Sequence, residues 1–288
     1  MSIIGDLLSG TARRVASNSL DQEGEMTFLD HVDVLRKHLV WSVVAILSCS
    51  ILMFVYNTWL MDEVILGPKN PDFWTYRQLC KLGHWLGNAD GLCITKETLD
   101  FKTVNTDISG QFTQSIWISF MAGLILAFPY ILWQLWRFIK PALKPIEIKH
   151  ASGIVFYCSM LFLTGVLFGY YMLTPVSISF LAGYKMSSQI ENYIAIDSYI
   201  SFVTSLTFGS GLVFEMPILV YFLSRIGLLR STFMRKYRRH AVLVILILAA
   251  VVTPPDVTSM TLMSIPLYLL FELSILVAIR VERKRARE

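Results

Sequence analysis

The 288-residue chain is 55% apolar and only 16% charged, with a mean hydropathy of +0.56 and a formal net charge of +4. A soluble domain carries about a quarter charged residues, and here the apolar residues fall in long blocks, which excludes an ordinary soluble globular protein. The small positive balance suits orientation in a bilayer and contact with anionic lipid head groups, so membrane lipids are expected partners and nucleic acid is not.

In chain order, residues 1–38 read as a cytoplasmic segment. They lack the apolar core of a cleavable signal, and a weak amphipathic helix over residues 3–15 would lie on the membrane surface. Arg13-Arg14 reads as a surface charge pair, because no apolar stretch follows it. A spanning helix needs about 20 mainly apolar residues. Six candidates follow, at 39–60, 112–138, 151–173, 199–223, 241–252 and 257–279. The last two are expected to be short, the fifth most of all, at roughly 18–21 Å of apolar helix. A hairpin of that length either tilts and stops partway or thins the bilayer around it. Thr253-Pro254-Pro255-Asp256 separates the pair, since proline has no amide to continue a helix.

Sorting the 25 basic residues between the two sides gives nineteen against six. The richer side is expected in the cytoplasm, with both termini, the loops 139–150 and 224–240, and the basic tail 280–288. Outside lie the loops 61–111 and 174–198 and the turn 253–256. The long first outer loop holds Cys80 and Cys93, which form a small disulfide loop in an oxidising compartment or stay as two unrelated thiols. Cys49 and Cys158 lie within spans and read as small packing residues. No spacing of cysteine or histidine suggests a metal, and no phosphate loop or nucleophile motif is present, so neither cofactor nor enzymatic activity is expected.

Two carboxylates fall inside spans, where each costs a few kcal/mol and usually faces a cavity or a partner. Glu272, in span six near Arg280, reads as a helix-packing lock. Glu215 is different. Gly209 and Gly211 upstream permit close approach of another helix, and Pro217 two residues later loosens the helix and frees carbonyls. Glu215, Phe214 and Pro217 therefore form a candidate working site.

Six short motifs resemble the TatC family, the C subunit of the twin-arginine protein translocase. They are His31-Val32-Asp33-Val34-Leu35-Arg36-Lys37, Leu66-Gly67-Pro68, Ala127 to Leu143 with Glu147, Phe214-Glu215-Met216-Pro217, Thr253-Pro254-Pro255-Asp256, and Ile265-Pro266-Leu267-Tyr268 with Phe271-Glu272. They occur in the family's order and on the expected sides. The resemblance implies an all-α polytopic protein with six transmembrane helices in a concave, glove-like bundle. It implies a receptor in the bacterial inner membrane that binds twin-arginine signal peptides and organises export of folded proteins using the proton gradient. The implied partners are single-span TatA-type and TatB-type subunits in an oligomeric complex.

By position, the resemblance assigns signal-peptide binding to Glu147, Phe138, Arg36, Leu35 and Asp33. A carboxylate pairs well with the two guanidiniums of such a signal. It assigns transport or partner contact to Glu215, Phe214, Pro217, Thr253 and Met260, and loop roles to Pro68, Pro254, Pro255 and Asp256. There are departures. The family's acid at the first-helix entry falls on Val34, and the nearest acid, Asp33, lies one position and about 100° away. Met260 replaces a polar residue. Two alternatives remain open: a secondary transporter with Glu215 as a titrating carboxylate, and an intramembrane enzyme, for which no nucleophile or metal cluster is visible.

Overall fold

The computed structural model describes residues 28–85, 93, 99, 101–140, 153–184, 187, 192–253 and 257–285. The expected helix over 3–15, the loop carrying Glu147, the turn residues Pro254, Pro255 and Asp256, and the end of the basic tail lie outside them.

Helix α1 (Phe28–Val55) begins eleven residues before the expected span, and five helical stretches are long and apolar enough to cross a membrane. After α1 the chain passes through a π-helical turn at Leu60–Ile65 and reaches α2 (Trp74–Trp85) and strand β1 (Lys102–Val104). Then come α3 (Gly110–Ile139), α4 (Ile154–Phe168) and α5 (Thr174–Gly183). A second π-helical turn, Gly169–Leu173, joins α4 to α5. The third span therefore runs on to Gly183, ten residues past its expected end. The wider turn lets the helix continue through Pro175, which has no N–H to offer a helical ladder.

Strand β2 (Tyr193–Ala195) leads into α6 (Ile196–Phe214) and, after a break at Glu215, α7 (Met216–Ile226). The chain ends with α8 (Ser231–Lys236), α9 (Arg238–Val252) and α10 (Val257–Arg285). The short fifth span stands: α9 has 15 residues, about 22 Å of helix. Span six does not share the shortness. Helix α10 has 29 residues, because its charged end continues the helix beyond the apolar stretch.

The first loop is not plain coil, and the fold is not helix alone. β1 pairs with β2 in a parallel register, Thr103 opposite Ile194, so the two loops at this end are joined by main-chain hydrogen bonds. Tyr76 of α2, 2% exposed, donates its hydroxyl between the carbonyls of Pro68 (2.8 Å) and Pro175 (3.1 Å). Burial pushes its phenol well above the ordinary range. Cys80 and Cys93 form a disulfide that closes the loop after α2.

Helix α1 is the most exposed of the spans and rests on α3 through one stripe that includes Val34, His38, Ser42, Ile46 and Met53. At Gly123 the backbones nearly touch, and a Cβ there would lie 2.6 Å from the Cα of Ser50. Two apolar cores form. One gathers Leu60, Tyr76, Phe101, Ile118, Ile178 and Val203, and the other Val220, Met234, Ile245, Met263, Leu267 and Ile275. Helix α6 packs chiefly on α4, and α7 chiefly on α10.

Candidate functional site

The close approach of α4 and α6 rests on small residues. Gly165 and Gly169 face Phe214, Ser210, Thr207 and Leu206, Gly211 faces Phe162 and Val166 of α4, and a Cβ on Gly165 would come within 2.7 Å of both Phe214 Cβ and the Ser210 carbonyl. Ser210, fully buried, donates its hydroxyl to the Gly165 carbonyl at 2.8 Å. One turn past this seam the helix breaks. The Glu215 amide folds back on the Leu212 carbonyl at 3.2 Å, and Pro217 occupies the first turn of α7. The loosening expected from Pro217 is thus present at the carboxylate itself.

Glu215 is partly buried. Its Oε1 is enclosed and has no hydrogen-bond partner among the described residues. Cys158 of α4 lies beside the carboxylate, within reach of a side-chain hydrogen bond. The sequence placed Cys158 as packing only, and no signal in its own segment marks it as a neighbour of Glu215. Phe214 is buried against Phe168, with ring centroids 5.5 Å apart. Thr207, one turn before Ser210, holds a second buried hydroxyl without a partner among the described residues. Glu215 is therefore a carboxylate with an unused acceptor atom in an otherwise closely packed seam.

Thr253 and Met260 sit on the α9–α10 hairpin. Val252 packs on Gly209, which sets Thr253 roughly 9 Å along α6 from Glu215. Thr253 is buried and donates to the Ala249 carbonyl at 2.8 Å, so its hydroxyl is used within its own helix. Met260 is half-buried against the second core. The hydroxyls of Ser177 and Ser259 meet between α5 and α10.

At the end of the bundle that carries the described termini, His38 Nδ1 lies 2.7 Å from Gln134 Oε1, and Gln134 Nε2 donates to the Tyr130 hydroxyl at 2.6 Å. This link fixes the register of α1 against α3. One turn before His38 is Val34, and one turn beyond Gln134 is Phe138, so the α1 entrance and Phe138 come level. Leu35, Arg36 and Asp33 are exposed there. Asp33 is off the stripe shared by Val34 and His38, as its one-residue offset requires. The polar Gln134 near a span end was the visible cue to this link, and it was read only as part of a motif.

Glu272 does lock helix packing, with a different partner from the nearby Arg280. Arg238 Nη2 donates to Glu272 Oε2 at 2.8 Å, and the Tyr268 hydroxyl donates to Oε1 at 3.2 Å. Tyr268 lies one helix turn before Glu272 on α10 and Arg238 reaches it across the hairpin from α9, whereas Arg280 lies two turns further along α10 itself. Glu282 accepts from the Ser231 amide at 2.7 Å and its hydroxyl at 2.5 Å, clamping the start of α8. Cys80, His84 and Cys93 bring their ligand atoms within 4.8 Å of one another, but the two sulfurs are joined and offer no thiolate.

The fold and site define a polytopic helical membrane protein with a buried carboxylate at a helix break. The family model for the Sec-independent protein translocase protein (TatC) matches residues 30–266. The protein of that name from Blattabacterium sp. subsp. Periplaneta americana is 38% identical over 266 residues, covering 92% of this chain and 99% of its own length. That from Koribacter versatilis is 34% identical over 264 residues, covering 91% and 89%. A crystal structure of the twin arginine translocase receptor TatC superposes with a TM-score of 0.66 at 28% identity, covering 88% of this chain and 99% of that one. The chain belongs to the TatC family. It is a membrane-embedded subunit of a protein translocase, a transport component of the Sec-independent pathway.

Proposed function

We propose that this chain is the receptor of its translocase: it binds twin-arginine signal peptides at the basic end of the bundle and organises export of folded proteins driven by the proton gradient. The observation that carries this reading is the His38–Gln134 link, which brings the exposed α1 entrance level with Phe138. That arrangement offers an apolar and polar surface, and Glu147 follows Phe138 nine residues on in the chain. Glu147 supplies the carboxylate that pairs with a signal arginine, Phe138 and Leu35 supply apolar contact, and Arg36 and Asp33 flank them. Glu215 acts at a later step, offering its unused oxygen to the signal peptide or a partner helix.

In this reading the basic end and both termini face the bacterial cytoplasm, TatA-type and TatB-type single-span subunits join an oligomeric complex, and Thr253 and Met260 contribute to their contact. Pro68, Pro254, Pro255 and Asp256 shape the turns on the opposite side. The test is site-specific crosslinking of a twin-arginine signal peptide in membranes. Glu147→Ala lowers crosslinking at least tenfold, while Glu215→Ala retains it and lowers export. Unchanged crosslinking in Glu147→Ala removes that assignment. Loss of protein accumulation in Glu215→Ala makes Glu215 a structural residue.

A further inference from the structure

The two ends of helix α2 are held by different means. Thr75 and Tyr76, in its first turn, are buried. Tyr76 donates to the Pro68 and Pro175 carbonyls, and Thr75 donates to that of Tyr171. In the last turns Lys81, Leu82, His84 and Trp85 are exposed, and the Cys80–Cys93 bridge ties this end to the chain beyond. Further on, Leu99 and Phe101 are buried in the first core, so the chain is anchored on both sides of the bridge by contacts other than the bridge itself.

A histidine stands over the two sulfurs. His84 lies one turn after Cys80, so both occupy one face of α2. Its Nδ1 is 2.8 Å from the Cys80 carbonyl oxygen, which only accepts, so Nδ1 carries its hydrogen. The same nitrogen is 3.7 Å from Cys80 Sγ and 3.8 Å from Cys93 Sγ. The carbonyl thus fixes the ring with one N–H beside both sulfurs at once. His84 is exposed and both cysteines are half-buried, so a thiol in solution can approach them. A disulfide is opened by a thiolate that attacks one sulfur and expels the other, and a sulfur more stable as thiolate leaves faster. A neighbouring N–H or cation gives that stability. His84 is placed to give it to whichever cysteine leaves.

We propose that Cys80, Cys93 and His84 form a thiol–disulfide exchange site, opened by a dithiol reductant, that releases the last turns of α2 while the rest of the fold stays in place. One thiolate of the reductant attacks Cys80 or Cys93 and forms a mixed disulfide, and the other cysteine leaves as a thiolate beside His84. The reductant's second thiolate then closes on its first sulfur and frees the protein. Two electrons pass from the dithiol to the bridge. The dithiol becomes a disulfide, and its two protons end on the thiols of Cys80 and Cys93.

The full-length protein in detergent is treated with excess dithiothreitol, quenched with an alkylating agent at intervals, and the peptides carrying Cys80 and Cys93 are weighed. Exchange responds to thiol pKa with a sensitivity of about 0.5, or about threefold per unit. His84→Phe keeps a ring over the sulfurs and removes the N–H, and it slows opening by about threefold or more. His84→Lys returns an N–H donor and opens within about twofold of wild type. Equal rates for wild type and His84→Phe, or equal slowing in His84→Lys, overturn the proposal. So does faster opening in His84→Ala than in wild type, which makes the ring a shield. Trypsin cleavage before and after reduction reads the release. Reduction quickens cleavage after Lys81 by about tenfold, as expected of a helix end that opens locally, and leaves cleavage after Arg77, beside the anchored Tyr76, unchanged. The variant carrying both Cys80→Ser and Cys93→Ser shows the same pattern without dithiothreitol. Unchanged cleavage at Lys81, or equal acceleration at both positions, overturns the release. None of these readouts depends on signal-peptide binding, so failure here leaves the receptor reading untouched.

Discussion

Replacing Gly165 by alanine tests whether the α4–α6 seam is what places Glu215. The added Cβ would meet Phe214 Cβ and the Ser210 carbonyl, both at 2.7 Å, and Phe214 Cγ at 2.8 Å. Two of these atoms are backbone or Cβ, so no rotamer change relieves them, and the helices must separate by roughly half an ångström. Overpacking of this kind costs about 1–3 kcal/mol, and the absence of a flexible neighbour puts this site in the upper half. Alanine returns about 1 kcal/mol through helix propensity, leaving a net loss of about 1–2 kcal/mol. The displaced atoms belong to Phe214 and to Ser210, whose hydroxyl donates to the Gly165 carbonyl, so the carboxylate one residue beyond Phe214 moves with them. The assay is thermal unfolding of the purified protein in detergent, beside export of a folded reporter. Gly153→Ala is the control, since its Cβ would meet only the Tyr157 ring edge at 3.1 Å. Gly165→Ala melts several degrees below wild type and exports poorly, and Gly153→Ala behaves as wild type. Equal melting and equal export for Gly165→Ala would refute the seam as the element that positions Glu215.

Three other experiments probe separate parts of the fold. Glu282→Ala leaves the Ser231 amide and hydroxyl, in a residue only 6% exposed, without their acceptor; stability falls by about 1–3 kcal/mol in thermal unfolding, and Glu282→Gln recovers part of it. A double-mutant cycle of Arg238→Gln and Glu272→Gln gives a coupling of about 1 kcal/mol or less, because the side chains are 47% and 31% exposed; a coupling above 2 kcal/mol would mean the pair is far less hydrated than its exposure indicates. Tyr76→Phe loosens α2, seen as faster proteolysis of the segment around residue 85, by an amount set by a lost hydrogen bond of about 1–3 kcal/mol. Its phenol ionises at higher pH when folded than when unfolded, so its stabilisation is complete below about pH 10 and is lost as pH rises beyond that; Tyr76→Phe removes this alkaline sensitivity.

The spans were legible because a bilayer demands long apolar helices, and the break at Glu215 was legible because Pro217 lacks a donor. The brevity of α9 could be counted directly. What escaped the sequence was everything that depends on distant partners. Strands β1 and β2 are three residues each and lie about ninety residues apart, so no local pattern announces their pairing. The 29-residue length of α10 was hidden because its charged final turns carry no hydropathy signal. Arg238 and Glu272 lie thirty-four positions apart, and only the hairpin geometry makes them neighbours, although Arg280 is nearer in sequence. Cys158 beside Glu215 is invisible for the same reason. Asp33 shows the opposite case: its offset from the α1 stripe follows from helical periodicity alone, and the structure has it there.

The two apolar cores divide the chain in an uneven but simple way. Residues before the break make up the first core, and those after it make up the second together with Leu173 from before it. Each flanking helix is bound to its own neighbour, α6 to α4 and α7 to α10. The two blocks also touch where Val252 packs on Gly209 and where the hydroxyls of Ser177 and Ser259 meet, so a rotation between them would turn on the torsions around residues 214–217 and disturb those contacts. A carboxylate at that joint would change its surroundings with any such rotation, because its own backbone is the part that turns.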